Sequence, residues 1–342
     1  MPTHAGASVR ASKGRVSSGR ARDALRGVAL SASRFLLIVN PSAGAGRARL
    51  RLSELEQELR RCGADFETAL TQHSGHATEL ARAALERGFG GVAVVGGDGT
   101  FNEAVNGFFT PDGARIGDGA WLAPLPAGTG GDFRRTARLR ENARGMVETL
   151  LHGRPTPIDC GWLSFVSDEG APRQRAFLNI ASFGMGGVVD RIVNSAPKWL
   201  GGRASFFLGS LRGMSRYENR RVRLVLDDGP SRVTQVVNYA VANGRFFGGG
   251  MEVAPRASID DGWFDVVGFE HMSKLEAAAL SSKIYKGAHL DSPGVTFARA
   301  RKVVAEPLDR DGHHTLLDID GEAPGRLPAT FELRAGALLL RA

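Results

Sequence analysis

Three glycine-rich turns near the start of the chain place acids and hydroxyls where apolar runs end. They are Asn40-Pro41-Ser42-Ala43-Gly44-Ala45-Gly46, Gly96-Gly97-Asp98-Gly99-Thr100, and Pro126-Ala127-Gly128-Thr129-Gly130-Gly131-Asp132-Phe133. Glycine permits positive φ and close backbone approach, so successive amides and a following helix amino terminus can surround phosphate oxygens. Any one such turn is common without a ligand, and Thr100 with Glu103 fits a capping box that needs none. Asp98 is the distinguishing residue. An acid among phosphate-directed amides repels the substrate unless it holds Mg²⁺ or a hydroxyl. Further on, Asp318-Ile319-Asp320-Gly321-Glu322 offers carboxylates at a strand end, and Asp261-Gly262 is another acidic turn between strands. A plain turn is the simplest reading of both.

The elements that must carry these turns show in the apolar spacing. From Arg34 onward, short buried strands alternate with amphipathic helices, the α/β signature. Strands are expected at Phe35 to Val39, Asp65 to Leu70, Gly91 to Val95 and Trp121 to Leu125. Ala48, Leu52, Leu55 and Leu59 mark a first helix and Ser74 to Arg87 a second. Each unit reads as a βα repeat with ligand-binding turns at the strands' carboxyl ends. After about Asp159 the pattern changes to alternating segments: Arg175 to Ser182, Arg221 to Asp227, Val233 to Ala242, Trp263 to Phe269, Val295 to Ala305, Thr315 to Ile319 and Thr330 to Arg334. Those read as antiparallel strands. The expected division is a basic disordered leader over 1–33, a nucleotide-binding α/β domain over 34–158, and a β-rich substrate domain over 159–342, with a cleft between the last two.

Composition narrows the function classes. The 342 residues are 42% hydrophobic and 23% charged, which suits a globular protein rather than a disordered one. No apolar run approaches the roughly 18 to 20 residues of a membrane-spanning helix. Cys62 and Cys160 are too few for a disulfide framework or a zinc site, which suits a reducing cytoplasm, and a metal would take oxygen ligands. The formal charge of +8 is concentrated at one end, because residues 1–34 hold seven basic side chains against Asp23 alone. The rest of the chain is nearly balanced and lacks an obvious basic face, so no specific nucleic-acid partner is expected. The leader also lacks the apolar stretch of a secretory signal.

Together these motifs resemble the diacylglycerol kinase catalytic domain superfamily, which includes bacterial lipid kinases, sphingosine kinases and ceramide kinases. The resemblance runs over about residues 35–335. It rests on VNPSAG at 39–44, VVGGDGTFNEAVNG at 94–107, PLPAGTGGDF at 124–133, IDCG at 158–161, NIASFGMGG at 179–187, IDDGWFDV at 259–266 and DIDGE at 318–322. It implies a glycine-loop α/β domain of the NAD-kinase/phosphofructokinase-like kind followed by a mainly antiparallel β domain. It implies ATP as co-substrate, held by Asn40, Thr71, Gly96, Gly97, Asp98, Gly99, Thr100, Phe101, Asn102 and Thr129, with Asp98 and Asp132 near the metal-phosphate group and Asp159 joining that acidic set. A separate Mg²⁺ site is implied at Ser258, Asp261 and Trp263. The base that takes the lipid hydroxyl's proton is carried onto Glu322 or Asp320.

One position departs from the relatives, which commonly show GTxND where this chain has Gly128-Thr129-Gly130-Gly131-Asp132. The expected function is an ATP- and Mg²⁺-dependent lipid kinase acting on a hydroxyl of diacylglycerol, a sphingoid base or ceramide. The rivals are an NAD kinase-like enzyme, which shares GGDGT, and a catalytically weak lipid-binding regulator. The stretch Lys198 to Tyr217 sets Trp199, Phe206, Phe207 and Met214 among Lys198, Arg203, Arg212 and Arg216 without an acid. That pattern fits either a headgroup-level amphipathic helix or a core helix. The expected setting is cytoplasmic, with peripheral association at a membrane surface and room for a homodimer. His73 and His76 read as surface residues.

Overall fold

A period of two sends Phe35, Leu37 and Val39 to one side of the first strand and Leu36 and Ile38 to the other, and all five are buried. Burial on both faces requires helices above and below, as in parallel sheets. The computed structural model describes residues 34–342 except 45, 128–130, 195–216 and 310–313. The leader, Thr129 and all of the Lys198 to Tyr217 stretch but Tyr217 lie outside the described residues.

The parallel part contains β1 (Phe35–Val39), α1 (Arg47–Arg61), β2 (Phe66–Leu70), α2 (His76–Glu86), β3 (Gly91–Gly96), α3 (Asp98–Asn106), β4 (Trp121–Pro126), α4 (Asp132–Ala137) and α5 (Ala143–His152). Its strands lie in the order β2-β1-β3-β4, all parallel. On one face Leu55 and Leu59 of α1 and Met146 and Leu150 of α5 pack on Leu37, Val95 and Leu125. On the other, Ala77, Ala81 and Leu85 of α2 and Phe101 and Val105 of α3 pack on Ile38, Val92 and Val94.

The remainder is antiparallel, as the alternating segments predict. It contains β5 (Thr156–Ser167), β6 (Pro172–Phe177), β7 (Ile180–Gly184), α6 (Met185–Asn194), β8 (Arg220–Leu226), β9 (Arg232–Ala242), β10 (Phe264–Glu270), α7 (Lys274–Ile284), β11 (Val295–Ala300), β12 (Lys302–Pro307), β13 (Leu317–Ile319) and β14 (Gly325–Leu340). Its pairs run β11-β10-β9-β8-β12-β14, with β7 on β9 and β13 on β7.

Two segments that alternate smoothly in sequence are broken in space, each by a carboxylate. Arg175 to Ser182 divides into β6 and β7 because Asp320 takes the amides of Leu178, Asn179 and Ile180. Val295 to Ala305 divides at Arg301, where Asp227 accepts the amides of Arg301 and Lys302. The sequence pattern marks β14 only at Thr330 to Arg334 and does not mark β5. β5 and β14 pair over most of their length, and Leu339 and Leu340 of β14 also pair in parallel with Trp121 and Leu122 of β4. Each register shift in the β5–β14 ladder is local, and the amide of Gly336 in the second one is taken by Asp159 at 2.8 Å.

Candidate functional site

The strand order places the turns after β2, β1, β3 and β4 along one edge, the carboxyl end of the parallel sheet. Backbone bonds tie these ends together: Thr71 N to Val39 O, Asn40 N to Val95 O and Ala127 N to Gly96 O, at 2.9, 2.9 and 2.8 Å. Asn40 Nδ2 donates to Thr100 Oγ1 at 2.9 Å, while its Oδ1 accepts the Ser42 amide at 3.0 Å. The first two glycine turns are thereby fastened side to side. Thr100 lies within α3, whose N-cap is Gly97, so the expected capping box with Glu103 does not form. Glu103 instead reaches the neighbouring helix, accepting from Ala77 N at 3.3 Å and Ser74 Oγ at 3.4 Å.

Asp98 spans the second and third turns. Its carboxylate accepts the amides of Gly131, Asp132 and Phe133 at 3.0, 2.9 and 3.3 Å, capping the first turn of α4. Gly131 holds φ 75°, a left-handed conformation that glycine adopts without a Cβ penalty. Burial raises the Asp98 pKa, and the three amides pull against it. Asp132 pairs with Arg135 at 2.9 Å and accepts the Gly249 amide at 2.8 Å. Its pKa is pushed up to about 6 by burial, and the charge of Asp98 adds to the shift. The charge of Asp98 thus disfavours ionisation of its buried neighbour Asp132.

The DIDGE acids take different positions. Asp320 is an anchor: its carboxylate accepts from Asn102 Nδ2 at 2.5 Å, Leu178 N and Ile180 N at 2.8 Å each, and Asn179 N at 3.1 Å. Four donors leave it little capacity for a substrate hydroxyl. Glu322 is half exposed, with Oε2 held by Arg175 Nη1 at 2.8 Å. Its Oε1 lies 3.7 Å from the point where a Cβ on Gly99 would stand. One carboxylate oxygen of DIDGE is thus against the GGDGT turn, more than two hundred residues earlier in the chain.

Arg175 carries no mark in the sequence beyond its place in an alternating strand. It bridges the two motifs, giving Nη1 to Glu322 and Nη2 to Asn102 Oδ1 at 2.5 Å. Asn102 is buried and spends its side chain on Arg175, Asp320, Asn106 and Ala176 O. Phe101 is buried among Ala81, Ala104 and Phe108, and its amide is taken by Gly97 O. These two expected nucleotide contacts are turned into the protein. Asn40, Thr71, Gly96 to Thr100 and Asp132 remain along the sheet edge.

The acids of the third set are separate. Asp159 accepts Gly262 N at 2.7 Å and Gly336 N at 2.8 Å, and the charges acting on it are those of Asp261 and Asp260. It belongs with the turn at 258–263 rather than with Asp98 and Asp132. There the Ser258 hydroxyl donates to Asp260, Asp261 Oδ1 accepts the Trp263 amide at 3.1 Å, and Asp261 Oδ2 pairs with Arg299. Arg299 also approaches the buried Asp265 at 3.4 Å. The charge of Asp261 is therefore already met by a guanidinium. Away from these turns, His73, His76 and Glu79 cluster at the surface. His76 Nδ1 accepts the Gln72 amide, which leaves the proton of the neutral ring on Nε2 and removes that nitrogen as a ligand.

Known proteins share the fold and its two parts. Residues 34–163 match the diacylglycerol kinase catalytic domain, and residues 179–342 match the YegS C-terminal NAD kinase beta sandwich-like domain. Curated relatives named diacylglycerol kinase, from Bacillus subtilis (strain 168) and Staphylococcus carnosus (strain TM300), are each 26% identical over 299 residues. The match covers 87% of this chain and 92% and 91% of theirs. A crystal structure from Bacillus anthracis str. Sterne, provisionally assigned as a diacylglycerol kinase, aligns with a TM-score of 0.73 at 24% identity, over 92% of this chain and 97% of that one. Two successive family domains in the expected order, together with the shared fold, place the chain in the diacylglycerol kinase catalytic domain superfamily of lipid kinases.

Proposed function

We propose that this lipid kinase takes ATP with Mg²⁺ and transfers the γ-phosphoryl group to a hydroxyl of diacylglycerol or a related lipid such as a sphingoid base or ceramide. The observation that carries the reading is Glu322 Oε1 beside Gly99. A glycine turn that cradles phosphate then faces a carboxylate able to take a proton, and phosphoryl transfer needs little more than such positioning and charge neutralisation. Asn40, Thr71 and the Gly96 to Thr100 turn, joined by Thr129, hold the nucleotide.

Asp98 and Asp132 suit a hard divalent cation by donor chemistry, being two carboxylates that repel one another in a buried turn. When bound, Mg²⁺ supplies positive charge to the phosphoryl oxygens. A second cation at Ser258, Asp261 and Trp263 requires Asp261 to release Arg299. Glu322 accepts the proton of the lipid hydroxyl as the hydroxyl oxygen bonds to phosphorus and the bond to the ADP oxygen breaks. Arg175 keeps the other Glu322 oxygen in place, so that Oε1 points at the glycine turn. The lipid is met at a membrane surface; no helix among the described residues is long and apolar enough to cross one.

The deciding experiment is transfer of radiolabel from γ-labelled ATP to a panel of diacylglycerol, sphingoid base and ceramide in detergent micelles, with NAD as a soluble competitor. Labelled lipid with unlabelled NAD is expected. Label on NAD alone would move the chain to the NAD kinase reading, and label on nothing would favour a lipid-binding regulator.

A further inference from the structure

The third glycine turn departs from the relatives at Gly131, and the space that residue leaves is filled by another side chain. A Cβ on Gly131 would stand 2.9 Å from Arg134 Nε, 3.1 Å from its Cζ and 3.4 Å from its Nη2. Cβ atoms essentially never come within 3.0 Å of a neighbour. The Arg134 guanidinium in this place and an asparagine side chain at 131 therefore exclude each other. The spacing accounts for the contact, because a helical side chain leans toward the amino terminus, over the residue three positions before its own.

The two nitrogens at Gly131, Nε and Nη2, form the side-on fork of the guanidinium, while Nη1 pairs with the exposed Glu141. The Arg134 side chain is 21% exposed, so it is not sealed in the core. Its neighbour Arg135 is held inward instead, giving Nη1 to Asp132 Oδ1 at 2.9 Å and to Gly131 O at 3.2 Å. Donors are in demand at this turn. The amides of Gly131, Asp132 and Phe133 all go to Asp98, and Asp98 and Asp132 are both acids. A phosphate arriving here meets three amides already engaged and two carboxylates beside them. A guanidinium brings a fixed positive charge and paired N–H donors that match phosphate oxygens. An asparagine amide brings N–H donors without the charge.

We propose that Arg134 stands in for the side chain missing at Gly131 and gives its guanidinium to the phosphate chain of the nucleotide at the third glycine turn. Gly131 and Arg134 then work as a pair, the glycine making the room that the guanidinium uses. The inference rests on the kinase reading in taking this turn as a place where nucleotide phosphates sit.

The test measures dissociation constants for ATP and for adenosine, which has no phosphate, beside transfer of label to lipid. Arg134→Ala should weaken ATP binding roughly tenfold or more and leave adenosine binding within about twofold of wild type. Gly131→Asn/Arg134→Ala, which recreates the arrangement common in relatives, should return ATP affinity to within a few-fold of wild type. Glu141→Gln, which removes only an exposed ion pair, should bind ATP within about twofold of wild type. Unchanged ATP binding in Arg134→Ala, an equal loss for ATP and adenosine, no recovery in the double variant, or the same loss in Glu141→Gln would each overturn the proposal. A wild type that binds ATP with this pattern of variants but labels no lipid would sink the lipid kinase reading and leave the Gly131–Arg134 pair standing. A wild type that binds no ATP would overturn both.

Discussion

A carboxylate can serve a reaction only with an oxygen that the fold has not already used, and this separates Glu322 from Asp320. An aliphatic alcohol is far too weak an acid to ionise at neutral pH, so removing its base should cost about 10² to 10⁴ in rate. Glu322→Gln is expected to lose kcat on that scale with nearly unchanged nucleotide affinity, measured as steady-state turnover beside an ATP dissociation constant. Asp320→Asn should behave differently. It turns an NH₂ toward donors that now bond to a carboxylate. A loss of about 2 to 4 kcal/mol in unfolding free energy is expected from those stranded partners, read by denaturant titration. Full stability in Asp320→Asn would remove its anchoring role. Asp265 supplies the pH test. It is buried at 1% exposure, and its pKa is pushed up to about 6 by burial, with Arg299 opposing and Asp261 adding. A raised folded-state pKa favours the protonated fold, so the contribution of Asp265 is present below about pH 4 and is lost as pH rises through about 6. The melting temperature of Asp265→Asn relative to wild type should therefore climb between pH 4 and 7. A difference, variant minus wild type, that stays level or falls with pH would contradict this.

At the scale of elements, the short helix α4 and its glycine N-cap decide how the third turn tolerates change. Gly131 sits at φ 75°, and the nearest atom to an added Cβ is Arg134 Nε at 2.9 Å, part of a flexible side chain. Asparagine visits the left-handed region far more readily than a β-branched residue. Gly131→Asn, which restores the residue common in relatives, should melt within a few degrees of wild type. Gly131→Val should lose about 1 to 2 kcal/mol and loosen the amides that Asp98 holds. Differential scanning calorimetry of the pair, with equal destabilisation as the contrary result, checks this. The turn at 258–263 behaves as an element in its own right. Asp159 fastens it to the bulge of β14 through Gly262 and Gly336, and Arg301 stacks on Trp263 with its guanidinium 4.4 Å from the ring centroid.

Over the whole molecule, the C-terminal strand is what joins the antiparallel part to the parallel sheet. Leu338 and Leu340 of β14 are buried at 1% and 3% exposure and belong to the same core as Leu36, Val92 and Phe101. Removing two buried leucines costs about 2 to 5 kcal/mol each, comparable with the whole stability of many domains. Truncation after Ala337 should abolish cooperative unfolding or soluble expression. A truncated protein that melts as sharply as wild type would show that β4 needs no partner on that edge.

Much of this was legible in the residues alone. Four strands and two helices of the parallel part follow from periods of two and 3.6, because burial on one or both faces writes itself into local spacing. The glycine turns at strand ends and the DIDGE acids were legible for the same reason, since special backbone conformations and chemistry demand particular residue types. What spacing cannot carry is who meets whom. Asn102 and Phe101 sit in a motif beside the half-buried Gly99 and Glu103, and helix rotation turns both inward. Arg175 is one of many arginines until β6 lays it between Asn102 and Glu322. The sequence by itself determined the kind of chemistry and the local elements. Only the tertiary structure decided which DIDGE carboxylate was consumed in holding a turn and which kept an oxygen facing the glycine turn, because hydrogen-bond capacity is used up by neighbours distant in the chain.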